Sequence, residues 1–167
     1  MLLCLLRHAH AGDPSKWMGP DDRRPLSARG RGQAERLGAF LAGVGFAPGV
    51  VLTSPLLRAL ETAEIVGSAL GVGGRVRVEP ALSGGLSLDT VEALLAGAGS
   101  PACAVLVGHD PDFTELLGEL VAGAGVDGLA MRKGAIACLE LGAERPLRPG
   151  AALLRWLLSP DLLEPRA

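Results

Sequence analysis

Short uninterrupted apolar runs alternate along the chain with longer stretches whose apolar positions recur every three or four residues. That alternation predicts a mainly parallel sheet covered by helices. Residues 2–6 are all apolar and end at Arg7, as expected of a strand buried on both faces. Residues 11–25 are polar and rich in Pro, Gly and Asp, hence loop. Ser27 has the character of a helix N-cap, and Ala34, Leu37, Leu41 and Val44 follow at helical spacing. Residues 50–52 predict a second strand. Ser54 and Pro55 then read as the cap and first-turn proline of a helix with the stripe Leu57, Leu60, Ala63, Val66 and Leu70. Residues 75–78 alternate charged and apolar positions, which suits a more exposed strand; 79–85 read as loop and 88–95 as helix. The run 102–107 is a further strand ending at Gly108-His109, and Asp110-Pro111 repeats the cap-then-proline start of a helix, with Asp110 as its cap. Residues 135–141 and 151–158 complete the strands.

This order of elements predicts an α/β fold, a three-layer α/β/α sandwich with a mostly parallel central sheet. The length of 167 residues suits one domain, taken as 1–160, with 161–167 as a flexible tail. With 49% hydrophobic residues, there is enough apolar material for a core. Charge removes one class of function. Lys and Arg number 16 against 18 Asp and Glu, net -2, so the broad basic field of a nucleic-acid binder is missing. Aromatics are 3% with no Tyr, which leaves no base-stacking platform. Cys4, Cys103 and Cys138 lie in apolar runs without metal or redox spacing, as expected of reduced core thiols. No run approaches the ~20 apolar residues of a membrane span, and the apolar run at the start is too short for a signal segment. The expectation is a cytoplasmic protein with neither a membrane nor a nucleic acid as partner.

Three strands end in residues that handle anions: the first in Arg7-His8, the second leading through Ser54-Pro55 to Arg58, and the fourth in His109. In an open parallel sheet, ligands bind beyond the carboxyl ends of the strands. Helix N-termini there add unpaired N–H groups and a positive dipole end. Two arginines and two histidines gathered at that edge suit a tetrahedral dianion, because the guanidinium fork matches phosphoryl oxygens. A neutral imidazole is also a competent nucleophile toward phosphorus. His8, fixed at the end of a buried strand, is the candidate nucleophile, and His109 a cationic partner for a non-bridging oxygen. Nothing in this set requires a metal or other cofactor.

Four segments then carry a resemblance. Leu6-Arg7-His8-Ala9 resembles the R-H-G/A motif of the histidine phosphatase superfamily, and residues 54–63 (SPLLRALETA) resemble its S-P-x-x-R-A-x-[QE]-T-A segment. Val107-Gly108-His109 is similar to its V-[GS]-H, and Pro25-Leu26-Ser27-Ala28-Arg29-Gly30 to its L-[ST]-x-x-G turn. Each motif is weak alone; the four in order are specific. With no cap-sized insertion between Arg58 and His109, the chain most resembles the small phosphohistidine phosphatase (SixA-type) branch. The resemblance implies a phosphatase in which His8 is phosphorylated while Arg7, Arg58 and His109 hold the phosphoryl oxygens, with Arg24 as a further binding residue. Larger members place an acid shortly after the third strand, and here that stretch reads EPALSGG, residues 79–85. Asp13 and Glu79 are the remaining candidate acids. The departure fits a leaving group that goes easily, such as the imidazole of phosphohistidine on a protein; a small phosphorylated metabolite is the alternative substrate.

Other readings stay open. His8, His10, Asp13 and His109 offer a possible zinc cluster, hence a metallohydrolase, although that leaves Arg7 and Arg58 without a task. A phosphate-binding module without turnover is another reading. Arg23, Arg24, Arg29, Arg31 and Arg36 form a locally basic stretch, readable as the rim of the phosphate pocket, as a docking face or as a solvated helix surface. Trp17 and Met18 are read as loop anchors.

Overall fold

The short apolar runs become strands and the three-to-four-residue periods become helices. A computed structural model describes residues 1–164. The main elements are β1 (Leu2–Arg7), α1 (Ala28–Gly43), β2 (Val50–Thr53), α2 (Leu57–Ala69), β3 (Val76–Val78), α3 (Leu88–Gly97), β4 (Cys103–Gly108), α4 (Asp112–Ala122), β5 (Ile136–Leu141) and β6 (Ala152–Leu158), with short 3-10 turns between them. The sheet order is β3-β2-β4-β1-β5-β6. The first four in that order run parallel; β5 pairs antiparallel with β1, and β6 antiparallel with β5. One face packs against α3 and α4 through Leu5, Leu52, Leu106, Phe113 and Leu117. The other packs against α1 and α2 through Leu6, Val107, Leu37 and Ala63. This is the expected three-layer α/β/α arrangement.

The strands β1 and β4 are buried on both faces, and their apolar runs leave no solvent side. The helices instead show where size overrules hydrophobicity. In α2 the buried residues include Ala59, Thr62, Ala63, Val66 and Gly67, while the expected stripe members Leu57, Leu60 and Leu70 are only partly buried. Small residues win because the contacts are close. A Cβ on Gly67 would come within 2.9 Å of Val76, and one on Gly38 of α1 within 2.7 Å of the Ala69 Cβ. Val44 also leaves the predicted stripe: α1 stops at Gly43, and Val44 caps it while 64% exposed.

Two helix starts differ from the expected caps. The α2 helix begins at Leu57, with Leu56 in the cap position, so Ser54 is not its N-cap. The Ser54 hydroxyl accepts from the Leu56 N–H and otherwise faces His109. Asp110 does not cap α4, which starts after Pro111; its carboxylate takes the Thr114 hydroxyl instead. Ser27 does cap α1, accepting from the Gly30 N–H. Gly30 has a steric reason of its own, because a Cβ there would lie 2.0 Å from the His10 carbonyl oxygen. The Leu26-to-Gly30 turn therefore clamps the start of α1 onto the loop that leaves β1.

Cys4 and Cys138 are buried free thiols on paired strands, and Cys103 is half-buried. Met18 is 96% exposed, whereas the Trp17 indole donates to the Pro20 carbonyl and anchors its loop. Of the tail expected over 161–167, Asp161 and Glu164 pair with Arg132 and with Arg29, and residues 165–167 lie outside the described residues. No described helix is long and apolar enough to cross a membrane.

Candidate active site

Register brings the site together. Strand β4 lies between β1 and β2, with Arg7 opposite Gly108 and Thr53 opposite Val107. The residues just past these strand ends, His8, Ser54 and His109, are therefore neighbours. Backbone bonds extend the ladder by one step, from the His8 N–H to the Gly108 carbonyl and from the Ser54 N–H to the Val107 carbonyl. Gly108 is required for space: a Cβ there would come within 2.8 Å of the Phe113 ring.

His8 is 6% exposed, and its ring centroid lies 5.2 Å from that of His109. Its Nδ1 is 2.7 Å from the Ala9 carbonyl oxygen. A carbonyl only accepts, so Nδ1 carries the proton and the lone pair of the neutral ring sits on Nε2. Burial pulls the His8 pKa down to about 3, against the pull of that carbonyl, and the positive charges of Arg58 and Arg7 help to keep the ring neutral. His109 is likewise lowered to about 4, first by burial and then by Arg58, while Asp112 and Asp21 oppose the shift. His109 Nε2 is 2.8 Å from the Ser54 hydroxyl.

Both imidazoles should therefore be neutral in the free protein at pH 7. In the unfolded chain they take protons near the ordinary value of 6.5, but in the folded chain only near 3 to 4. The unfolded state then binds more protons in that interval, so stability falls as pH drops from about 6.5 toward 4. A nitrogen-detected NMR titration should show His8 as a neutral Nδ1–H tautomer at every pH above about 5. A His8 midpoint near 6.5 would contradict this electrostatic account.

Arg58, 7% exposed on the first turn of α2, donates through Nη1 to the Asp21 backbone carbonyl at 2.8 Å and pairs with the Asp21 carboxylate at 3.1 Å. Arg7 donates to the Met131 carbonyl and lies 3.5 Å from Asp110. The Nε–H groups of Arg7 and Arg58, like that of Arg36, are buried without a partner among the described residues. Buried donors on a cation are seldom left unpaired, so both are candidates to meet an anion. Arg24, on the same rim, shares the Asp21 carboxylate and donates to the Ala11 carbonyl.

The two candidate acids are engaged elsewhere. Asp13 is exposed and accepts from the Ser15 backbone and hydroxyl. Glu79 pairs with Arg77. Neither makes a hydrogen bond or ion pair with His8, Arg58 or His109 among the described residues. The possible zinc cluster is not assembled, since no group of three or more His, Cys, Asp or Glu side chains in the described residues is arranged to hold a metal. His10 is occupied with Ser27 and Gly12.

Sequence reasoning missed several supporting residues. Thr62 takes the Ala9 N–H and donates to the Arg58 carbonyl, which locks α2 to the loop after His8. Glu61 accepts from the Leu26 N–H and pairs with Arg31. Both occur inside the SPLLRALETA segment, where their polarity within an otherwise apolar helix turn was the available signal. The Gly134 N–H donates to the Arg7 and His8 carbonyls, and no motif marks that loop.

The model for the histidine phosphatase superfamily (branch 1) matches residues 3–84. The chain belongs to this superfamily. An uncharacterised protein of Picosynechococcus sp. is 34% identical over 99% of this chain and 100% of its own length. Among solved structures, the protein histidine phosphatase SixA in complex with tungstate aligns with a TM-score of 0.82 at 27% identity, covering 98% of this chain and 100% of that one. A putative phosphohistidine phosphatase SixA from Nakamurella multipartitia aligns at 0.71 with 27% identity over 95% of each chain. A putative alpha-ribazole-5'-P phosphatase from Escherichia coli shares the fold, with a TM-score of 0.66 and 21% identity over 96% of this chain and 98% of that one.

Proposed function

We propose that this protein is a phosphatase that passes the phosphoryl group through His8 Nε2 and acts preferentially on phosphohistidine of a protein. The observation that carries the reading is the His8 ring, neutral and pinned by Nδ1 to the Ala9 carbonyl, beside two unpartnered buried guanidinium N–H groups. In the first step the Nε2 lone pair attacks phosphorus, the new N–P bond forms and the bond to the leaving group breaks. Arg7 and Arg58 balance the charge of the equatorial oxygens, with Arg24 and Asp21 orienting Arg58, while His109, neutral in the free protein, takes up a proton as the dianion binds beside it. In the second step water attacks phosphorus, the Nε2–P bond breaks, and inorganic phosphate leaves with His8 restored. When the substrate ring carries a proton on its distal nitrogen, it departs as neutral imidazole and demands no protein acid. The engagement of Asp13 with Ser15 and of Glu79 with Arg77 favours this leaving group over an alkoxide.

The test is initial-rate measurement on a phosphohistidine protein and on an aryl phosphate, each with and without chelator. The expected result is a higher kcat/KM on the phosphohistidine protein and no effect of chelator. Faster turnover of the ester would instead make this a small-molecule phosphomonoesterase. Loss of activity to chelator with recovery on zinc would make it a metallohydrolase. Phosphate binding without turnover of either substrate would make it a binding module.

A further inference from the structure

A groove beside the phosphoryl cradle is more basic than a phosphate monoester needs. Arg7 forms one wall, and His10, Arg29, Gln33, Arg132 and Lys133 continue it; the cavity has a volume of about 270 Å³. Four permanent cations thus face one lining carboxylate, Asp161. That carboxylate is already paired with Arg132, and Arg29 reaches Glu164. Lys133 differs from these two: among the described residues its ammonium group makes no hydrogen bond and no ion pair. Burial, and the neighbouring charges of Arg7, Arg24 and Arg58, pull its pKa down, the signature of a cation in cationic company.

Lys133 is not on a loose loop. On one side of it, the Met131 carbonyl accepts from Arg7 and the Met131 N–H donates to Thr114. On the other, the Gly134 N–H donates to the carbonyls of Arg7 and His8. The backbone of the nucleophile and of the anion-holding arginine therefore fixes where Lys133 stands.

His10 adds a donor that needs no added proton. Its Nδ1 accepts from the Gly12 N–H and contacts the Ser27 hydroxyl. A neutral ring with Nδ1 as acceptor carries its hydrogen on Nε2, so Nε2–H remains to bind an anion.

We propose that Lys133 and His10 form a second anion subsite, contiguous through Arg7 with the phosphoryl cradle, that takes a carboxylate or second phosphate carried by the same phosphorylated substrate. The inference deepens the phosphatase reading and rests on it for the position of the phosphoryl group. A second anion has two sources, an acidic side chain flanking the phosphohistidine or an acidic group on a small metabolite, and both meet the same ammonium and N–H donors. An ammonium carried on a fixed backbone position in a partly desolvated groove discriminates by charge more strongly than a fully exposed lysine.

Calorimetry on the full chain with non-hydrolysable phosphonates tests the subsite without turnover. The probes are phosphonoacetate, phosphonopropionate and phosphonobutyrate, each against the alkylphosphonate of equal chain length. At least one carboxylated member should bind about ten-fold more tightly than its alkyl counterpart. Lys133→Met should remove most of that advantage, and Lys133→Arg should keep it. Circular dichroism and thermal melting establish that both variants are folded. In parallel, kcat/KM for a phosphohistidine peptide with flanking glutamates is compared with the glutamine version. A gain confined to the peptide names a protein source, and a gain confined to the phosphonates names a metabolite source. Equal binding of carboxylated and alkyl probes together with equal peptide rates overturns the subsite, as does an advantage that survives Lys133→Met. Absence of turnover with the carboxylate advantage intact overturns the phosphatase reading and leaves the subsite standing.

Discussion

Replacing His8 with Ala should lower kcat on either substrate by about ten-thousand-fold or more, because the atom that accepts the phosphoryl group is gone. The folded state should survive, since among the described residues His8 makes a single side-chain hydrogen bond, to the Ala9 carbonyl. Oxyanion binding should survive as well, because Arg7 and Arg58 remain and the positive charge of the cradle is unchanged. Two measurements separate the explanations. Rapid quenching of the parent protein with labelled substrate should trap a phosphoenzyme that is stable in alkali and lost in acid, as a phosphoramidate is. The variant should give no such label. A variant within ten-fold of the parent rate, or a parent label stable in acid, would remove His8 from the reaction.

Arg58→Lys is expected to cost about a hundred-fold to a thousand-fold in kcat/KM, on the scale of losing a preorganised donor at a developing charge. Lysine keeps the charge but cannot reproduce the geometry. Arg58 uses Nη1 for the Asp21 carbonyl and carboxylate while its Nε–H stays free for the ligand. A lysine in that 7%-exposed position has one ammonium for both tasks. The loss should fall mainly on kcat if Arg58 grips the phosphoryl group more tightly at the transition state than in the ground state. Steady-state kinetics give that split. A Lys variant with parental kcat/KM would show that charge alone suffices and that the fork is dispensable.

The strands and the placement of the residues at their ends were readable because both follow short-range rules. Apolar runs ending abruptly in Arg7 or at Gly108-His109 need only burial and the topology of parallel sheets to be interpreted. The caps at Ser54 and Asp110 were misread for one shared reason. Each has the side chain of a helix cap and the right neighbour, Pro, but another partner claims it. Ser54 turns to His109, and Asp110 turns to Thr114 while facing Arg7. Ordinary capping energies of ~1 kcal/mol are small enough to be outbid by such partners. Lys133 was invisible for a different reason. It belongs to no motif, and only the pairing of Gly134 with the carbonyls of Arg7 and His8 brings it to the site.

Strand order has a consequence for how the chain comes off the ribosome. In β3-β2-β4-β1-β5-β6, the first two strands to be synthesised do not touch; β4, ending at Gly108, is wedged between them. Until that wedge arrives, a nascent chain holds Arg7-His8 on one piece and Arg58 on another, with no shared ladder to align them. Assembly is therefore late and depends on contacts far apart in sequence, which slows folding. Severing the chain between α3 and β4 should leave a first half that contains three of the four signature segments yet cannot gather them around phosphorus.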